Sequence, residues 1–163
     1  MMECMRVMVK ALFCLFCAFA AMPAFGKGGK PADSRVLSCI RDAATRYELS
    51  YPLMVAIAKQ ESSLRPAVIH RNPPTKGNPD GSEDVGLFQI NAEFWLPRLR
   101  KYGITRTSLF DPCTNAHVAG WIVWKNTHTH GKTWKAIGAF NSPTPEKQQD
   151  YIQRVWKQLR GVV

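Results

Sequence analysis

Ala56-Ile57-Ala58-Lys59-Gln60-Glu61-Ser62-Ser63-Leu64 sets a carboxylic acid into the middle of an apolar helix face. Pro52 suits the first turn of that helix and Pro66 lies beyond its end. At about 100° per residue, Glu61 falls about 20° from Met54 and between Ile57 and Ala58, with Leu53 and Leu64 flanking the same arc. A carboxyl there is either paired or functional, because burying an unpaired carboxylate is costly. Desolvation raises its pKa, the condition a general acid needs near neutral pH. The structural alternative is an ion pair with Arg65, four residues on and near the helix end.

Working outward, the pattern is mostly α. Val36, Leu37, Ile40, Ala43, Ala44 and Tyr47 predict a first helix capped by Ser34. Residues 66–84, rich in proline and glycine, read as a long loop. Gly86-Leu87-Phe88-Gln89-Ile90-Asn91 reads as a strand or extended turn, the minimal β element. A helix from Ala92 to about Tyr102 is disturbed by Pro97 and closed by Gly103. Asp111-Pro112 opens the next, which turns Ala116, Ala119, Gly120, Val123 and Trp124 inward and stops at Gly131. Thr133 starts a short apolar helix through Phe140, and residues 141–145 turn. Tyr151, Ile152, Val155, Trp156 and Leu159 stripe the last helix.

The beginning of the chain reads as an address. Arg6 and Lys10 precede an apolar run from Ala11 to Phe25, which is too short for the usual span of about 20 residues. Residues 1–26 are expected to be a secretory signal peptide, with an uncleaved anchor as the alternative. Cys17 follows bulky Phe16, which argues against a lipoprotein site. Residues 27–33 form a flexible leader and 34–163 one catalytic domain, a periplasmic or exported monomer with no stable membrane span after cleavage. The net charge of +10 falls to +9 without Arg6, Lys10 and Glu3. The basic residues are scattered and carry no nucleic-acid motif. A wall polymer rich in peptide carboxylates is the better match, with simple solubility as the bland alternative.

Cysteine usage agrees with export. Cys4, Cys14 and Cys17 leave with the signal segment, so Cys39 and Cys113 remain as one pair. In an oxidising compartment they are expected to form a disulfide; two buried thiols are the alternative. Cys113 and His117 share a helix face, but no further zinc ligands are evident. No metal or cofactor is expected. His70, His117, His128 and His130 read as surface residues. Trp95, Trp121, Trp124, Trp134 and Trp156 read mostly as core, with one or two free to stack on a bound ring.

The segment around Glu61 resembles the catalytic helix of the soluble lytic transglycosylases, which share a fold with goose-type lysozymes. Gly86 to Asn91 resembles that family's second motif and Ala139-Phe140-Asn141 its third, while Tyr151 and Val155 stand where its final helix has a tyrosine and a valine. The order and spacing agree over residues 37–156. The resemblance implies a lysozyme-like α-helical fold and cleavage of peptidoglycan between N-acetylmuramic acid and N-acetylglucosamine, leaving 1,6-anhydro ends. It implies Glu61 as acid and base, and Ser62, Gln89, Asn91, Asn141 and Tyr151 as substrate-binding, with Tyr151 bonding the glutamate or the sugar. Phe140, and Ser142-Pro143 after the third motif, depart from the family pattern and put subsite detail in doubt.

Gly103-Ile104 ahead of the Asp111-Pro112-Cys113 helix start is similar to small members that accompany secretion, conjugation or type IV pilus machines. Asp84, two residues before Gly86, is either a loop residue bonding local backbone or a second carboxylate. In the latter case the enzyme is a lysozyme-like hydrolase. A glycan-binding adaptor without activity is the non-enzymatic alternative, and the retained Glu61 argues against it.

Overall fold

The computed structural model describes residues 33–79 and 81–162, so the signal peptide assigned to 1–26 and nearly all of the leader lie outside the described residues. Helix α1 (Ser34–Arg46) is capped by Asp33, whose carboxylate accepts from the Arg35 amide at 2.9 Å. The cap is thus one residue earlier than expected, and Ser34 is already helical. Helix α2 (Tyr51–Ser62) starts at Ser50 with Pro52 in its first turn. Strands β1 (Ile69–Asn72), β2 (Ser82–Val85) and β3 (Ile90–Asn91) form an antiparallel sheet in that order.

Then come α3 (Ala92–Leu99), two short 3-10 turns, α4 (Pro112–His130), α5 (Trp134–Asn141) and α6 (Pro145–Leu159). The mostly α architecture with a small sheet agrees with the sequence pattern. Three details differ. The expected loop over 66–84 contains the β1–β2 pair, whose register runs from Ile69 opposite Val85 to Asn72 opposite Ser82. The strand signal is faint because β1 is almost wholly exposed and so lacks apolar alternation. Helix α3 gives way at Leu99 to a 3-10 turn, Arg100–Tyr102, which Gly103 ends with φ of 75°. Trp124, Trp134 and Trp156, expected inside, are exposed. Their neighbours bury these helices instead: Val123 on α4, Ala136 and Ile137 on α5, and Val155 with Tyr151 on α6.

The core brings Ile40, Met54, Ile57, Leu87, Phe88, Leu109, Val123 and Val155 together. Helix α4 runs against α1 and α5, while α6 covers α2 and α5. The α1–α4 approach depends on Gly120, where a Cβ would come within 2.6 Å of the Tyr47 ring. Cys39 on α1 is joined to Cys113 in the first turn of α4, closing a sequence separation of 74. Asp111 caps α4 through the Thr114 amide, and its carboxyl is held below the usual range mainly by that backbone bond. No helix among the described residues is long and apolar enough to cross a membrane.

Candidate active site

Glu61 is the penultimate residue of α2 and lines a groove of about 1610 Å³ between the sheet, α3, α4 and the α5–α6 turn. The helix stops immediately after it. Ser63 and Leu64 both take left-handed backbone (φ 54° and 63°), turning the chain away from the groove. Successive non-glycine residues in that region carry backbone strain of order 1–3 kcal/mol each.

The alternative, an ion pair of Glu61 with Arg65, does not form; the Arg65 Nε donates instead to the Ser62 carbonyl at 2.9 Å. The partner of Glu61 comes from α6. The buried Tyr151 hydroxyl donates to Glu61 Oε1 at 2.5 Å. Burial pushes the Glu61 pKa up to about 7; the Tyr151 bond opposes it, the Asp84 charge adds to it, and Arg154 opposes it weakly. Burial, and then the Glu61 charge, drive the Tyr151 phenol well above its ordinary value, so it stays a donor.

Alternation along β2 places Ser82 and Asp84 on the groove, while Glu83 turns to Arg71 and Arg106. Asp84 is held by two amides: Asn72 Nδ2 donates to Oδ2 and Asn91 Nδ2 to Oδ1, each at 2.8 Å. The same two nitrogens donate to Ser82 Oγ at 3.1 and 2.9 Å. Its acceptor positions filled, the Ser82 hydroxyl keeps its proton for a further partner. Lys125, Lys135 and Lys147 also line the groove and suit an anionic polymer.

A family profile for the transglycosylase SLT domain matches residues 38–158. The chain belongs to the transglycosylase SLT family. It is 35% identical over 127 residues to "Invasion protein IagB" of Salmonella typhimurium, covering 75% of each chain. It is 32% identical over 117 residues to "Protein IpgF" of Shigella flexneri, covering 71% of this chain and 72% of that protein. A "Peptidoglycan-binding-like protein" of Escherichia coli O157:H7 is 32% identical over 126 residues, covering 73% of this chain and 74% of its own. The SLT domain is a lytic transglycosylase with peptidoglycan as its substrate class, and such a substrate lies outside the cytoplasmic membrane.

Within the SLT domain, Glu61, Asp84, Gln89, Asn91 and Asn141 all line the groove, with Tyr151 behind Glu61. Ser62 does not join them. Its buried hydroxyl donates to the Leu87 carbonyl at 2.7 Å and accepts from the Arg65 amide, so it ties the end of α2 to the second motif instead of supporting a sugar. Asn91 is also engaged internally, since its Oδ1 caps α3 through the Phe94 amide. Gln89 has φ of 48° and donates to the Gly86 and Val68 carbonyls, leaving its oxygen uncommitted by these bonds.

Sequence reasoning missed Asn115, Asn72 and Ser82. Buried Asn115 holds the second motif to α4: its amide donates to the Val85 and Leu109 carbonyls and its oxygen accepts from Phe88. Gly86, with φ of 82°, sits so close that a Cβ would overlap both Asn115 and the Leu109 carbonyl. A lone asparagine among Ala116, Val118 and Ala119 was the available signal. Asn72 and Ser82 carried none, being polar residues in an apparent loop.

Proposed function

We propose that the SLT domain cleaves the β-1,4 bond between N-acetylmuramic acid and N-acetylglucosamine without water, using Glu61 first as acid and then as base. Protonated Glu61 gives its proton to the glycosidic oxygen as the bond to muramoyl C1 breaks. The resulting carboxylate takes the proton of the muramoyl O6 hydroxyl as that oxygen bonds to C1. The products are a free N-acetylglucosamine hydroxyl and a 1,6-anhydromuramoyl end, and Glu61 is protonated again. One observation carries this reading: the Glu61 carboxyl sits near pKa 7 with a phenol donor against one oxygen. Burial favours the acid form and Tyr151 favours the base form, so neither half of the cycle is strongly disfavoured at neutral pH. Gln89 and Asn141 contact sugar, and Asn91 acts by holding Asp84.

A second reading rests on Asp84, whose charge acts on Glu61 across the same groove. It would position a water for hydrolysis. Digesting purified wall sacculi in isotopically labelled water separates the two. The expected muropeptides end in 1,6-anhydro-N-acetylmuramic acid, lighter by one water than a hydrolase product, with no label. Labelled reducing ends, together with an inactive Asp84→Asn variant, would replace the transglycosylase chemistry with a two-carboxylate hydrolase.

The donor must be protonated, so activity should fall as pH rises through about 7. Tyr151→Phe removes a bond that favours the carboxylate and should move this alkaline limb upward. Asp84→Asn removes a negative neighbour and should move it downward. Initial-rate profiles of sacculus clearance check both, and shifts in the same direction would refute the assignment of these partners.

Residues 1–26 direct the chain out of the cytoplasm in this reading, and the mature enzyme opens the wall locally for a secretion, conjugation or pilus machine. The similarity to an invasion protein supports that setting.

A further inference from the structure

A second cleft, of about 940 Å³, opens on the neighbouring face of α4. The turn between α1 and α2 forms one wall, and the end of α4 with the start of α5 forms the other. Trp121, Trp124 and Trp134 line the cleft, together with Tyr47 and His128. Two of these indoles are open to solvent, Trp124 at 39% and Trp134 at 37%. Both are held by another ring: Trp124 lies 4.1 Å from His128 between centroids, and Trp134 meets Trp156 edge-on at 5.5 Å. Rings braced in this way offer flat faces at little entropic cost on binding. Arg46 and Lys132 stand in the cleft against a single acid, Glu48. Thr127 and Thr133 also line it, their hydroxyls donating to the Trp124 and His130 carbonyls at 2.7 and 3.0 Å and so free only to accept. Trp134 also lines the Glu61 groove, so the two cavities share a wall.

We propose that this cleft is a second glycan-binding site, taking the stretch of peptidoglycan strand that runs out of the catalytic groove across Trp134. Pyranose rings present apolar C–H faces to Trp124 and Trp134, while Thr127 and Thr133 Oγ1 accept from the sugar hydroxyls. Arg46 and Lys132 meet the carboxylates of the stem peptides. Exposed tryptophans and an arginine would also suit a protein partner. Continuity with the groove through Trp134, hydroxyl acceptors in the cleft lining and the excess of positive charge favour the polymer that the enzyme already binds. The site retains wall and does no chemistry, so it is independent of which product Glu61 makes.

The test uses Trp124, which lines this cleft and not the groove. In a Glu61→Gln background, Trp124→Ala should weaken co-sedimentation with purified sacculi about tenfold, the size that truncating one central interface tryptophan produces. Trp124→Tyr should restore most of that affinity, which mere loss of fold would not allow. With Glu61 intact, Trp124→Ala should cleave a soluble tetrasaccharide of alternating N-acetylglucosamine and N-acetylmuramic acid at the wild-type rate. Titrating chitohexaose into the Glu61→Gln protein should shift the indole N–H resonance of Trp124 in NMR spectra. Unchanged sacculus affinity in Trp124→Ala would overturn the proposal, as would an indole signal that responds to a free stem peptide and not to the sugar.

Discussion

Glu61→Gln is expected to abolish detectable lysis of purified sacculi, a loss of about 10²- to 10⁴-fold or more, since one group serves both proton transfers. The amide keeps the size and can still accept the Tyr151 hydrogen bond, but it has no proton to cycle. The same variant carries its own control for folding. Folding raises the Glu61 pKa from 4.5 to about 7, so between these values the folded protein holds a proton that the unfolded chain has released. Stability therefore falls as pH rises through that window, and above it the ionised carboxylate costs roughly 3 kcal/mol. Glutamine removes this cost. Thermal melts should show the variant close to wild type at pH 4 and clearly more stable at pH 8. A folded Glu61→Gln protein that still clears sacculi would remove Glu61 from the chemistry.

Converting Cys39 and Cys113 together to serine should cost about 4 kcal/mol, because the bond closes a loop with a separation of 74 residues. A domain of this size is stable by about 5–15 kcal/mol in total, so the melting temperature should drop by roughly 15 °C. The bond ties α1 to the start of α4, and neither cysteine lines the groove. The fraction that remains folded at low temperature should keep its full specific activity. Equal melting temperatures for the double serine variant and the oxidised protein would show that the bond contributes no net stability.

The helices could be read from the chain because their apolar spacing and caps are local: Pro52, Asp111-Pro112 and Gly131 mark ends that α2 and α4 respect. Glu61 stood out for the same reason, as an acid on an apolar stripe. Spacing alone does not reveal contacts between residues distant in sequence, and only the family resemblance gave Tyr151 the glutamate or the sugar as a partner. Tyr151 comes from a helix 90 residues away, and periodicity alone placed it in the core, where it is indeed buried. Nothing local distinguishes a buried phenol from one that reaches a carboxyl. The β1–β2 pair was hidden because its exposed residues lack alternation, and with it went the Asn72–Ser82–Asp84–Asn91 cluster. Ser62 was misread in the opposite sense. The family motif suggested a sugar contact, whereas the hydroxyl answers the Leu87 carbonyl. The tryptophans show the limit of spacing as a guide, since an indole can stay exposed while a valine or isoleucine beside it buries the helix.

The abrupt stop of α2 has an electrostatic consequence. Peptide dipoles along a helix sum to a partial negative charge at its carbonyl end, and Glu61 rides within the last turn of this one. That is the least favourable place on a helix for an anion, by about 0.3–1 kcal/mol at an exposed site and more where water is scarce. The left-handed residues Ser63 and Leu64 fix where that end falls. Had the helix run on for two more turns, the same glutamate would sit mid-helix, away from this field, and would surrender its proton at a lower pH. The backbone thus helps keep the acid charged with its proton, through the position at which it stops being a helix.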